Sequence, residues 1–274
     1  MEASNVTIPG KTSVRDNQRT TSEGTLKPMG LGVSLLFFGI PSAVLTLSIY
    51  DLMQSFHRHG MSDFLNFYLT LVFPLGLLLV AALVAYKLEG CEFTWTQIAD
   101  RFRFHKMTKK DWIYTIVLFV ASIACYGALQ STAKWLIQFK WFAPPEFLIP
   151  AVDPRLEHNL APSVFMGIPL KGQWWIAGFY FIALLFNIFG EEFWWRGYIF
   201  PRQELAFKKW TWVVHGLLWT LFHVFWKWNL IALLPGCLML SYVIYVRKNT
   251  WIGIITHMLF NSFPLAGLII GIIG

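Results

Sequence analysis

The sequence predicts an all-α fold, a polytopic transmembrane helical bundle of about seven spans (six to eight), and three observations predict it. Of the 274 residues, 56% are hydrophobic and only 14% are charged, whereas a soluble domain carries about a quarter charged residues. Apolar runs close to the roughly 20 residues that a spanning helix needs recur from residue 31 to the C-terminus. Lys and Arg fall between those runs and are unequally shared between the two sides, the asymmetry that orients a membrane protein.

Residues 1–27 are rich in Ser, Thr, Asn, Lys and Arg and lack the apolar stretch and small-residue site of a signal peptide. They are expected to form a disordered cytoplasmic tail. Spans are expected near 31–50, 64–86, 112–133, 174–200, 211–228, 229–246 and 250–272. Between the second and third, residues 93–111 mix aromatic and basic side chains at roughly helical spacing, which suits a short interfacial helix as well as a charged connector. The proline-rich segment 140–172 is long enough to cap the bundle without forming a domain. The chain therefore divides into the tail, an N-terminal transmembrane region at 28–172, and a four-span core at 173–274.

With the N-terminus inside, sixteen of the 22 Lys and Arg residues fall on the inner side, Arg196 counted among them, and six on the outer. That places the N-terminus in the cytoplasm, in the cell (inner) membrane, with the lipid bilayer as an obligatory partner. A net charge of +7 does not imply nucleic acid, because the basic residues belong to loops rather than to one soluble face. Cys91, Cys125 and Cys237 are an odd, widely separated set, so neither a disulfide framework nor a CxxC metal site is expected.

An ionisable group at membrane depth costs roughly 2.5–3.5 kcal/mol on insertion scales, so those present are candidates for function. The fourth span holds Glu191, Glu192 and Arg196, the fifth His215 and His223, and the seventh His257 with Asn261. Glu192 and Arg196 stand at i,i+4 with the acid N-terminal, the favourable orientation for an ion pair. Glu191 is rotated by about 100° from Glu192 and is left without an intrahelical partner, as a general base or acid needs to be. If the fourth helix ends near Phe200, before Pro201, Glu191 lies about 14 Å from its cytoplasmic end. His223, His257 and Asn261 lie about 17, 10 and 16 Å from theirs. The four therefore share a level below the inner surface. His215 is expected to be a hydrogen-bonded packing residue.

These residues resemble the pattern of the CPBP family of intramembrane proteases, the group that includes the CAAX prenyl endopeptidases and the Abi proteins. Its motifs are EExxxR, FxxxH and HxxxN. The chain carries Glu191-Glu192-Phe193-Trp194-Trp195-Arg196, followed by Gly197 and Pro201; then Trp219-Thr220-Leu221-Phe222-His223; then His257-Met258-Leu259-Phe260-Asn261. Trp219 stands where the family has Phe. The resemblance covers residues 174–265 and implies an endopeptidase in which Glu191 and His223 activate a water. It further implies that His257 and Asn261 stabilise the oxyanion, while Glu192 and Arg196 support them. The implied partner is a membrane protein or lipid-modified peptide substrate, with no nucleic acid. No cofactor is expected. Zinc is the one alternative, held by Glu191, His223 and His257, although no HExxH is present. Two other functions remain open on the residues alone: a non-proteolytic scaffold or regulator of the same fold, and a proton-coupled carrier, since intramembrane Glu and His also relay protons.

Overall fold

The computed structural model describes residues 26–157, 159 and 161–274. All but the last two residues of the expected tail lie outside the described residues. Ten helices follow: α1 Leu31–Arg58, α2 Asp63–Leu88, α3 Trp95–Arg101, α4 Lys109–Leu136, α5 Trp174–Glu191, α6 Phe200–Phe207, α7 Thr211–Phe222, α8 Leu230–Arg247, α9 Thr250–Asn261 and α10 Phe263–Ile273. Among its described residues the outer segment carries a 3-10 turn, Pro150–Val152, and a two-stranded hairpin, β1 Val164–Phe165 with β2 Ile168–Pro169, turned by Met166 and Gly167 at φ 49° and 80°. In the bundle, α8 packs between α7 and α4, α5 lies between α2 and α10, and α9 rests on α4 and α5. Large apolar side chains such as Leu36, Ile40, Val80, Ile116, Val120 and Phe263 point outward and are exposed, as lipid-facing surfaces are.

Seven crossings are not confirmed. Among the described residues, four continuous helices are long and apolar enough to cross a membrane, or five if α9 and α10, bent by 41°, count as one span. The expected fourth, fifth and sixth spans form a single helical run of 74 residues, Trp174–Arg247. That run is broken by Lys208 at φ 51° and by Trp226 at φ −112°, ψ 48°. With 12 residues each, α7 and α9 reach only about 18 Å at 1.5 Å per residue, short of a hydrocarbon core of about 30 Å. Irregular backbone at such depth is tolerated where it is enclosed by protein or lines a cavity, and both short helices end beside the cavity described below.

The fourth helix does not stop before Pro201. It passes from α5 through a π-helical stretch, Glu192–Ile199, into α6. A proline lacks an N–H and leaves the carbonyl four residues earlier without its donor. For Pro201 that carbonyl belongs to Gly197, and Arg101 takes it through Nη1 at 3.0 Å. The same device recurs in α2, where Pro74 frees the Thr70 carbonyl and the Ser48 hydroxyl donates to it at 2.7 Å. Each of these prolines follows a π-helical stretch, Tyr68–Val72 in α2. Buried Arg101 also pairs with Glu89 through Nε at 2.7 Å and Nη2 at 3.0 Å.

The expected short helix within 93–111 is present as α3, but the chain beyond it is no surface connector. Phe102 and Phe104 are buried, and the start of α9 is strapped to them. Thr250 donates from Oγ1 to the Phe102 carbonyl at 2.7 Å, and Asn249 donates to the His105 carbonyl at 3.1 Å. Ion pairs draw the basic segments together at this end of the bundle: Arg202 to Glu89 at 3.1 Å, Arg103 to Glu204 at 2.9 Å, and Arg247 to Asp111 at 2.7 Å. Arg196 does not belong with them. It is wholly buried inside the bundle, so it drops out of the inner loop charges.

Gly190 decides how closely α5 meets α2, because a Cβ there would stand 2.4 Å from the Leu75 carbonyl oxygen, a backbone atom that cannot swing away. Gly178, on the same helix, faces open space. Gly190→Ala is therefore expected to lower the thermal unfolding midpoint in detergent. Gly178→Ala should leave it unchanged or raise it, since Ala is favoured over Gly in a helix by about 0.8–1.0 kcal/mol. Equal midpoints for the two variants would contradict the close approach.

Candidate active site

Glu191 and Glu192 sit at the junction of α5 and the π-helical stretch, and they face different surroundings. Glu192 has no exposed surface. Its Oε1 lies 3.1 Å from Arg196 Nη1 and accepts from His257 Nδ1 at 3.0 Å. Its Oε2 presses on α9 at Gly253, where a Cβ would stand 2.3 Å away, so only glycine fits one turn before His257. The Arg196 contact is an ion pair by distance but not an aligned hydrogen bond, and none of the three guanidinium nitrogens has an aligned acceptor. Its attraction to Glu192 and the aromatic face over it hold the charge instead.

That face belongs to Trp219, which touches every member of the set except Asn261 and Glu192. The Arg196 guanidinium carbon lies 3.4 Å from the centre of the indole, a cation–π contact favoured by exclusion of water. The indole N–H donates to Glu191 Oε2 at 2.9 Å. Its ring meets those of His223 and His257 edge-on, with centres 5.6 and 5.5 Å apart. Phenylalanine at this position keeps the ring contacts and loses the hydrogen bond to Glu191, so the departure from the family motif has a physical consequence that its aromatic character alone did not reveal.

The hydrogen bonds also set the histidine tautomers. His223 Nδ1 lies 2.8 Å from the Trp219 carbonyl. A carbonyl only accepts, so Nδ1 carries a proton, and in the neutral ring Nε2 holds the lone pair. For His257 the Glu192 carboxylate plays the same part. Glu191, His223, His257 and Asn261 line one cavity of about 960 Å³, whereas Glu192 and Arg196 stay behind its wall. His215 lies elsewhere, fully buried, with Nδ1 2.7 Å from Gln203 Oε1 and its ring against Phe38 and Phe200.

Residues 173–263 match the family model described as type II CAAX prenyl endopeptidase Rce1-like. This segment is a domain of the CAAX-type protease family. The CAAX-type domain opens one residue before α5 and closes two residues after Asn261, so it contains all six motif residues and leaves α1 to α4 outside. The family is one of intramembrane peptidases, and the apolar helices around the domain fit an integral membrane protein. No curated protein and no solved structure matches the chain.

Among the described residues, no group of three or more His, Cys, Asp or Glu side chains is arranged to hold a metal ion. Glu191, His223 and His257 share a cavity but do not converge as a ligand set, and the carboxylate on His257 is Glu192. Residues missed from sequence include Trp219 as a donor, Gly253 as the seat of Glu192, and Arg101, which supports the π-helical stretch from outside the domain. The one available signal for Arg101 was the Pro201 four residues after Gly197, which announces a carbonyl in need of a donor.

Removing one member of a buried ion pair strands the other charge, at about 3–5 kcal/mol. Glu192→Gln and Arg196→Met are each expected to lose that much in equilibrium unfolding from mixed micelles. The double variant should lose clearly less than both losses added, as coupled neighbours do. Full additivity would show that the pair is not coupled.

Proposed function

We propose that the CAAX-type domain hydrolyses a peptide bond of a membrane-associated or lipid-modified polypeptide by means of a water activated by Glu191 and His223. The observation that carries the proposal is the single cavity onto which Glu191, His223, His257 and Asn261 project from α5, the turn after α7, and α9. A water between the Glu191 carboxylate and Nε2 of His223 gives one proton to that carboxylate as its oxygen bonds to the substrate carbonyl carbon, while Nε2 accepts a hydrogen bond from its other O–H. Trp219 keeps Glu191 in position for this through its indole N–H.

Negative charge then develops on the carbonyl oxygen, and preorganised donors aimed at that point lower the barrier. Asn261 offers its amide N–H. His257, with its Nδ1–H held by Glu192, donates from Nε2 in its doubly protonated form, the second proton being taken up from bulk water before the substrate binds. When the tetrahedral intermediate collapses, the C–N bond breaks and the proton taken from water passes to the departing amine. Glu192 and Arg196 take no part in bond changes; they fix the plane of His257 and the face of Trp219. The N-terminus is assigned to the cytoplasm and the chain to the cell membrane, on the concentration of basic residues at one end.

The test compares membrane proteomes by N-terminal labelling in cells carrying the wild type, Glu191→Ala or His223→Ala at equal expression. A set of new N-termini is expected with the wild type and lost with either variant. Their undiminished presence in both variants would return the chain to the scaffold or carrier reading.

A further inference from the structure

The apolar helix α4 carries a polar stripe. Ser122, Tyr126, Gln130 and Lys134 recur every four residues, so on a helix they fall on one side, and all four line the cavity that holds Glu191 and His223. The opposite side of α4 is apolar and exposed, as with Ile116, Val117 and Val120. Lys134 stands at the exposed end of the stripe, 3.9 Å from Glu157. The side chains of the other three have no hydrogen-bond partner among the described residues, whereas Thr115 on the same helix returns its hydroxyl to the Asp111 carbonyl at 2.8 Å. Polar groups in apolar surroundings are costly unless they are paired, so three of them in register call for a partner from outside the fold. Tyr126 is held with its ring edge-on to Phe260, centres 5.3 Å apart, one residue from Asn261.

The spacing identifies that partner. Residues four apart on a helix are separated by a rise of about 6 Å. On an extended polypeptide the N–H and C=O groups of one edge recur every second residue, about 6.6 Å apart. The two repeats drift by only about 1 Å from Ser122 to Gln130, within the reach of the side chains. Water would pair with these groups at any spacing, but an extended chain laid along α4 meets all three in step. We infer that Ser122, Tyr126 and Gln130 hydrogen-bond the backbone edge of an extended substrate segment whose scissile carbonyl stands at Glu191 and His223. The inference rests on the proteolytic reading of the site. It assigns substrate binding to a helix outside residues 173–263, one that reaches the cavity by packing on α8 and α9. A hydroxyl both donates and accepts, and the amide of Gln130 has one group of each kind, so the stripe pairs with N–H and C=O alike. Backbone groups that leave water for an apolar site need such partners.

The probe is a synthetic peptide spanning the most abundant cut that depends on Glu191, and its hydrolysis by the purified full chain is followed in mixed micelles. Tyr126→Phe keeps the ring against Phe260 and loses only the hydroxyl, while Gln130→Leu keeps the bulk and loses the amide. Each is expected to raise KM about 2- to 12-fold, the worth of one hydrogen bond, with kcat and the thermal midpoint unchanged, as loss of a binding contact requires. Methylating the probe's backbone nitrogens one at a time adds a readout that a purely structural role does not move. At the position paired with Tyr126, methylation should raise KM for the wild type and leave Tyr126→Phe unaffected. Unchanged KM in both variants, a fall in kcat alone, or equal methylation effects in wild type and Tyr126→Phe at every position would overturn the inference and leave the proteolytic reading standing. If no cut depends on Glu191, the proteolytic reading falls and takes the inference with it.

Discussion

Two opposite charges, Glu192 and Arg196, sit without any exposed surface in the middle of an apolar bundle, and much of the local structure is what makes that burial tolerable. Charges at this depth cost several kcal/mol, and their mutual attraction repays little of it unless other groups take part. Here Gly253 leaves room for the carboxylate, His257 donates to it, and the Trp219 face covers the guanidinium. Such a pair adds little net stability, and its use is positional. Through Glu192 it fixes a histidine, and through Arg196 it fixes the indole that holds Glu191.

The backbone follows the same logic. A regular α-helix through residues 192–201 has no donor for the Gly197 carbonyl once Pro201 is in place. The π-helical stretch and Arg101 together answer that, and π-helical turns are frequent at functional sites. Gly197 itself cannot be larger, since a Cβ would meet the Phe102 ring at 2.3 Å. The connector that supplies Arg101 and Phe102 therefore belongs to the support of the site although both residues lie more than 70 positions before the CAAX-type domain.

The separation of Glu191 from Glu192 is legible in the sequence, because a one-residue offset on any helix turns two side chains to different faces. The grouping of His223, His257 and Asn261 with Glu191 is legible too, from motif order and shared depth. What sequence periodicity misses is tertiary. Arg101 reads as one more basic residue in a charged connector, since nothing local to it reveals the orphaned carbonyl on another helix. Trp219 reads as an aromatic wall because its donor has no partner until α5 and α7 meet. Seven spans are read from hydropathy, which does not register that α7 and α9 stop short where the backbone breaks around the cavity.

The central claim is that two adjacent glutamates have separate duties, Glu191 in the chemistry and Glu192 in holding the frame. Equilibrium unfolding of Glu191→Gln and Glu192→Gln, measured side by side in the same micelles, tests it most directly. The account predicts that Glu191→Gln stays near the wild-type stability while Glu192→Gln falls by about 3–5 kcal/mol, the loss that follows from stranding a buried charge. Equal stabilities for the two variants would contradict it.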